Sequence, residues 1–390
     1  MDDALLDIQE KPARQQPEWG DAEGVRRVRD TLAGSPALVD SKDIDTLRSL
    51  LARVVSGEAL VVQTGDCAED PAECTPGYVA RKTAVLDLLV GALKMITHKP
   101  VIRVGRIAGQ FGKPRSSPTE LVGGVELPSY RGHMVNGPEP DPESRRPEPQ
   151  RILACYEAAR EIMSHLGWRD PVRRHWMEPP VWTSHEALIL DYELPMVRRD
   201  EQGRLILAST HWPWIGERTR QLDGAHVALL SRVANPVACK IGPKVTPDEL
   251  LGLCERLDPR REAGRLTLVA RMGADAVGDR LPKLVAAARA AGHPVIWLTD
   301  AMHGNTVALP NGLKTRFVET IEREIQAFQE AVRSEGGIVG GLHLETTPDD
   351  VTECVSNDSC VDHVADKYTS YCDPRLNPGQ AVAVASAWLG

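Results

Sequence analysis

The chain has 390 residues, 42% of them apolar, a formal charge of −9 and eight cysteines. That length allows one large domain with additions, or two domains. No block of like charge points to a nucleic-acid partner, and no apolar run approaches the roughly 20 residues that span a bilayer. The Met1–Arg14 segment is acidic and polar, without the basic start and apolar stretch of a signal peptide. The cysteines lack the regular spacing of a disulfide scaffold. The expectation is a cytoplasmic protein.

Residues 1–55 read as an extension of helices and loops that ends in the amphipathic Ile44–Val55 segment, with residues 56–390 forming one catalytic unit. Short apolar runs then alternate with helical stretches. The candidate strands are Ala59–Gln63, Val101–Val104, Val181–Thr183, Trp212–Ile215, Val237–Ile241, Leu266–Ala270, Val295–Leu298 and Ile338–Leu344. The candidate helices are Arg81–Ile96, Pro149–Leu166, Gln221–Val233, Pro247–Leu257, Leu281–Ala291 and Lys314–Ser334. Thr246-Pro247-Asp248-Glu249 is a helix start with a cap, a proline at the first position and acids in the first turn. This alternation predicts an α/β fold, a (β/α)8 TIM barrel with an N-terminal extension. A doubly wound sheet is the alternative, but no GxGxxG follows the first strand, and polar residues follow nearly every strand.

Those polar residues carry the functional reading, because α/β enzymes put their chemistry at the carboxyl ends of strands. Cys67 follows the Val61–Gln63 run, His303 follows Pro294–Trp297, Glu345 follows Gly340–Leu344, and Asp373 follows Tyr368–Tyr371. Together they suggest one divalent-metal site, and a mixed sulfur, nitrogen and oxygen set suits Mn, Fe, Co or Zn rather than Mg or Ca. Each alone has a plainer reading: a small buried cysteine, a loop-capping histidine, a surface acid, a turn former before Pro374. No CxxC or HxxxH spacing joins them. A second group is cationic. Arg103, Arg106, Lys113 and Arg115 are separated by glycines and small residues, which lets backbone approach an anion held by guanidinium groups. Arg218, Arg220, Lys240, Lys244 and Arg271 follow other strands. Any one reads as a surface charge, but Lys240 and Arg271 each end an apolar strand. Two phosphates, or a phosphate and a carboxylate, fit such a set. His185, Glu186 and His343 read as orienting or structural residues, and Ser184-His185-Glu186 cannot form a nucleophilic triad from adjacent positions.

These blocks resemble the type II (plant-like) 3-deoxy-D-arabino-heptulosonate 7-phosphate (DAHP) synthases over nearly the whole chain. The matching segments include Gln15-Gln16-Pro17-Glu18-Trp19, Gly65-Asp66-Cys67-Ala68-Glu69, Arg106–Ser116, Leu127-Pro128-Ser129-Tyr130-Arg131-Gly132 and Ser184-His185-Glu186-Ala187-Leu188. Further matches are Trp214–Gln221, Asp300 with Met302–Thr306, Thr352-Glu353-Cys354 and Cys372–Asn377. The resemblance implies a metal-dependent TIM barrel that joins phosphoenolpyruvate to erythrose 4-phosphate and releases phosphate, the first step of the shikimate pathway. It implies metal ligands Cys67, His303, Glu345 and Asp373, with Mn²⁺ or Co²⁺ favoured and Fe²⁺ or Zn²⁺ as alternatives. It puts phosphoenolpyruvate on Arg106, Glu217, Arg218, Lys240 and Arg271. The aldose phosphate falls to Lys113, Pro114, Arg115 and Ser116. Asp300 joins the substrate contacts, and Lys240, Arg106 and His303 take the catalytic roles.

Thr64, Thr299, Ala301 and His133 depart from the family pattern without removing a candidate ligand. Between roughly 150 and 175 the chain is shorter than long members, as in short forms of antibiotic and phenazine pathways, so weak or absent feedback by aromatic amino acids is expected. Cys67 and Cys372 are expected to be close enough to oxidise together. Competing readings are an amino-DAHP synthase acting on an imino-sugar phosphate, and a non-catalytic relative that binds chorismate mutase. A homodimer without nucleic-acid or membrane partners is expected.

Overall fold

The structure is a computed structural model that describes residues 5–122, 124–169 and 178–390. Two helices, α1 (Ala22–Gly34) and α2 (Ser41–Val55), precede eight parallel strands that close into a barrel. The strands are β1 (Leu60–Gly65), β2 (Val101–Arg106), β3 (Trp182–Glu186), β4 (Trp212–Ile215), β5 (Val237–Ile241), β6 (Leu266–Ala270), β7 (Ile296–Thr299) and β8 (Ile338–Glu345). Each pairs with its neighbours in sequence, and β1 closes on β8 with Val61 opposite Gly341 and Gly65 opposite Glu345. Parallel pairing demands crossovers. These are α3 (Pro76–Thr97), α4 (Gln150–His165), α5 (Ala225–Arg232), α6 (Pro247–Leu257), α7 (Val277–Ala290) and α8 (Val318–Ser334), while β3 and β4 are joined by short helical turns and a small hairpin, and α9 (Pro378–Ser386) follows β8 and packs on α3. The (β/α)8 barrel is therefore the fold. Thr246 caps α6 by accepting from the Glu249 N–H. Among the described residues no helix is long and apolar enough to cross a membrane.

The period of two along each strand explains both ends of the barrel. Inward positions low in the barrel are apolar: Val61, Ile102, Trp182, Trp212, Ala238, Val269 and Ile296 form one cluster with Ile44, Leu47, Leu51 and Val54 of α2. Helix α2 thus closes the floor with its apolar face, in contact with β8. Toward the carboxyl ends the inward positions are polar: Gln63 and His343 lie level with each other, and one step higher come Arg106 after Val104, Glu186 after Ser184, Lys240 after Ala238, Arg271 after Val269, Asp300 after Leu298 and Glu345 after His343. The upper rung of a well-packed barrel is where side chains meet ligands rather than each other.

Three segments differ from the sequence expectation. β3 runs from Trp182 to Glu186, beyond Val181–Thr183, because Ser184, His185 and Glu186 are all buried and paired within the barrel wall. Lys314 and Thr315 do not begin the helix; they pair antiparallel with Val307 and Ala308, and α8 starts at Val318. Tyr368–Tyr371 is not a strand. Asp373 lies in a long loop after β8, pinned where Thr346 bridges Leu376 and where Arg375 holds Glu353 at 2.8 Å and Asp66 at 2.9 Å. Of the shortened connection after α4, residues 170–177 lie outside the described residues.

Candidate active site

The polar rung surrounds a cavity of about 190 Å³. Cys67, Arg106, Lys113, Pro114, Arg115, Ser116, Glu217, Arg218, Lys240, Arg271, His303 and Asp373 all line it. Asp300 and Glu345, the other two predicted residues, are fully buried.

Among the described residues, His303, Glu345 and Asp373 form the group able to share an ion, with donor atoms all within 4.8 Å of one another. The His303 Nε2 lies 3.2 Å from Glu345 Oε1 and 3.9 Å from Asp373 Oδ2. Its Nδ1 faces Asp300 Oδ2 at 2.8 Å. Burial alone would raise Asp300, but His303 and Lys240 outweigh it and hold that carboxyl well below its ordinary range. An ionised Asp300 can only accept, so Nδ1 donates to it, and Nε2 is the ring atom that faces Glu345 and Asp373. Cys67 stands outside that group, with its Sγ 3.4 Å from Ser370 Oγ. A hydrogen bond with Cys372, with Lys113 nearby, holds the Cys67 thiol below its usual value against the effect of burial. The two cysteines are in contact, as the sequence reading expected, and both are free.

The acids are held ionised by surrounding cations. Burial opposes ionisation of Glu345, but His303, Lys113, Arg316 and Arg106 push its carboxyl well below the ordinary value. Arg106 Nη2 donates to Oε1 at 3.0 Å and Arg316 Nη1 to Oε2 at 2.7 Å. Lys113 Nζ lies 2.6 Å from Asp373 Oδ2 and 3.7 Å from Glu345 Oε1, so this acid pair already attracts a cation. Lys314 takes the other Asp373 oxygen at 3.0 Å. Neither Lys314 nor Arg316 was singled out from sequence, although Lys314-Thr315-Arg316 is a basic cluster. Its reading as a helix start concealed that the small antiparallel pair turns it toward the cavity.

The second face of the cavity is cationic. Lys240 Nζ donates to Asp300 Oδ2 at 2.8 Å and lies 5.9 Å from the Trp214 ring. Burial pulls its pKa down against the pull of Asp300. Arg106 stacks 5.4 Å from the same ring, and its Nη1 meets His343 Nε2 at 3.2 Å. Burial, with Lys240 and Arg106 close by, pushes His343 far below its usual value, so it is neutral. Its Nδ1 donates to Gln63 Oε1 at 2.6 Å, leaving Nε2 to accept from Arg106. Gln63 passes the chain on to Ser184 Oγ at 3.0 Å. His343, read from sequence as orienting or structural, thus sits between Gln63 and Arg106. Arg218 donates to Ser116 Oγ, joining the loop after β4 to the loop after β2. Glu217 Oε2 and Glu186 Oε1 are buried without a protein partner. Burial raises the pKa of Glu186.

Three cations on one wall, with an imidazole and two carboxylates on another, make an arrangement able to hold anions beside a metal ion. Comparison with known proteins agrees. A family model described as the class-II DAHP synthetase family matches residues 4–169 and 158–388. A "probable phospho-2-dehydro-3-deoxyheptonate aldolase" of Pseudomonas fluorescens is 58% identical over 389 residues, covering 100% of this chain and 97% of its own length. A phospho-2-dehydro-3-deoxyheptonate aldolase of Streptomyces coelicolor is 41% identical, covering 96% of this chain and 94% of its own. One of Mycolicibacterium smegmatis is 38% identical, covering 99% and 93%. The barrel, the site at its mouth and these full-length relatives converge: the chain belongs to the class-II DAHP synthetase family.

Proposed function

We propose that the chain condenses phosphoenolpyruvate with erythrose 4-phosphate to give DAHP and inorganic phosphate. The carrying observation is that Arg106, Lys240, Arg271 and Arg218 line one cavity with His303, Asp373 and Cys67. Arg106, Lys240 and Arg271 take the carboxylate and phosphate of phosphoenolpyruvate, with Arg218 and Glu217 at the edge. Lys113, Pro114, Arg115 and Ser116 take the aldose phosphate. Fixed cations let two anions approach that would repel in water, and fixed positions replace an improbable encounter.

The donor set fits a divalent metal: an imidazole with its proton directed to Asp300, two ionised carboxylates, and Cys67 as a fourth donor with a lowered thiol pKa. Mn²⁺ or Co²⁺ is the expected ion. When bound it supplies a Lewis acid for the aldehyde oxygen. The terminal carbon of phosphoenolpyruvate bonds to the aldehyde carbon as the carbonyl π pair moves onto the aldehyde oxygen, which takes a proton to become a hydroxyl, and the former enol carbon becomes electron-poor. Water adds there, losing a proton, and the carbon–oxygen bond to phosphate breaks with its electron pair leaving on phosphate. Glu186 and Glu217 each keep one buried oxygen without a protein partner and can accept that proton. The Lys240 ammonium, restrained by Asp300, stays beside the developing phosphate charge.

The test is phosphate release from phosphoenolpyruvate with a panel of aldose phosphates and one imino-sugar phosphate, with product identification. Release that requires erythrose 4-phosphate supports this reading. Release only with the imino-sugar phosphate would make the chain an amino-DAHP synthase. No release with any of them would leave a binding protein.

A further inference from the structure

Pro114 has no N–H, so the Lys113–Ser116 stretch can be tethered through its backbone donors only on either side of that residue. The Lys113 N–H donates to the Arg131 carbonyl at 2.8 Å. The Arg115 N–H donates to the side-chain Oε1 of Gln15 at 2.9 Å, across 100 positions of sequence. Arg131 closes the circuit, its guanidinium donating to the carbonyls of Gln15 and, at 3.2 Å, Gln16. Both tethers therefore converge on one short piece of the N-terminal segment.

That piece is itself fixed from the other side. Gln16 donates to the Leu188 carbonyl and accepts from the Leu190 N–H, both at 2.9 Å. Trp19 Nε1 donates to Asp191 Oδ2 at 2.6 Å. Gln15 holds φ at 62°, in the left-handed region that a non-glycine residue enters only when its surroundings over-determine it. Such strain persists where a particular side-chain direction is required. The residues 15–19 strap thus joins the loop after β2 to the loop after β3, at the mouth of the barrel.

We infer that Gln15 is a positioning residue for the aldose phosphate: its side-chain carbonyl fixes the Arg115 backbone and so aims Lys113, Arg115 and Ser116 at that group. The inference rests on the assignment of Lys113–Ser116 to the aldose phosphate made above. The main phosphoenolpyruvate contacts, Arg106, Lys240 and Arg271, hang on the ends of β2, β5 and β6, which the strap does not tether; Arg218 belongs to the loop after β4 and meets the stretch only through Ser116 Oγ. Loss of the acceptor therefore falls on one substrate.

The experiment is steady-state kinetics on the full, metal-loaded chain, reading each substrate's KM separately and thermal unfolding alongside. Gln15→Ala is expected to raise the KM for erythrose 4-phosphate about tenfold, with the KM for phosphoenolpyruvate within about twofold of wild type. Gln15→Glu keeps an acceptor oxygen at the same reach and is expected to recover most of the loss. Should Gln15→Ala fold poorly, Gln15→Asn tolerates the left-handed backbone while its oxygen falls short, and it is expected to behave as the alanine variant does. An unchanged aldose-phosphate KM in Gln15→Asn, or an equal rise for both substrates, overturns the inference. Arg115→Ala separates the two kinds of failure. If it raises the aldose-phosphate KM while the Gln15 variants do not, only the inference falls; if it too has no effect, the assignment of the stretch falls with it.

Discussion

Strand β6 carries an arginine at each end, and the two meet opposite surroundings. Arg265, at the floor, donates to the carbonyls of Leu257 at 3.0 Å, Val233 at 2.8 Å, Leu230 at 2.7 Å and Asn235. Burial, aided by neighbouring Arg48, pulls its pKa down to about 10. Arg271, at the mouth, has a guanidinium that among the described residues makes one protein hydrogen bond, 3.4 Å to the His303 carbonyl. The same pattern recurs around the upper rung, where Arg106 Nε, Glu217 Oε2 and Glu186 Oε1 are buried without partners. Buried polar groups in a folded protein are normally satisfied, so leftover capacity beside a cavity is what a ligand there would complete. At the floor Arg265 spends its guanidinium on four carbonyls; at the mouth Arg271 keeps most of its own in reserve.

The sharpest way to break this contrast is to remove the ion expected at the mouth. Chelation of the purified protein should abolish phosphate release, and Mn²⁺ or Co²⁺ should restore it. Full activity in excess chelator, with no metal by elemental analysis, would remove His303, Glu345 and Asp373 from the chemistry.

Next come the two arginines themselves. Arg265→Ala strands several carbonyls in the interior and should cost about 3–5 kcal/mol of stability, seen as a lower Tm or insoluble protein. Arg271→Ala should leave Tm nearly unchanged and lower kcat/KM about 10–100-fold, as loss of a charged hydrogen bond worth roughly 1.5–3 kcal/mol requires. If Arg271→Ala instead unfolds the protein with residual kcat intact, the mouth is built like the floor and the comparison fails.

The smallest expected effect is a pH dependence within the mouth. Glu324 of α8 is fully buried, accepting from the Gly273 N–H at 2.9 Å and from Asn305 Nδ2 at 2.5 Å. It therefore clips the loop of Arg271 to the loop of His303. Burial pushes its carboxyl up from 4.5 to about 7. Between those values the native chain keeps a proton that the unfolded chain has lost. Unfolding then releases a proton, and this residue's contribution to stability falls as pH rises through that window. Glu324→Gln should flatten that part of the stability profile. An identical slope in the variant would show that Glu324 titrates normally.

Much of the mouth was legible in sequence for one reason. Lys240 lies inside the buried strand Val237–Ile241 and Arg271 directly follows the buried strand Leu266–Ala270, so a cation there sits where the surface is out of easy reach and a site is the natural partner. Trp212–Ile215, Val237–Ile241 and Leu266–Ala270 fell at their expected bounds because predominantly apolar short runs mark a strand buried on both faces. The upper half of β3 was hidden because its inward residues, Ser184 and Glu186, are polar, and polarity ends an apolar run before it ends a strand. Asp373 was found for the wrong structural reason. No strand precedes it, and its place depends on Arg375 reaching Glu353 and Asp66. Arg316, fully buried against Glu345, gave no local sign of burial, because only a distant acid makes an interior guanidinium tolerable there.

Because β1 closes on β8, a chain leaving the ribosome holds Arg106, Lys240 and Arg271 long before Glu345 and Asp373 exist. The bond between Gln63 and His343 joins residues 280 positions apart. Contacts that distant form slowly, since the loop between them must be closed before any bond rewards it. Until then the half-built mouth is a positive rim on an open sheet. Barrel closure and charge compensation thus arrive in one late event, and a chain cut before Glu345 would be an unclosed, cation-rich sheet rather than a weaker enzyme.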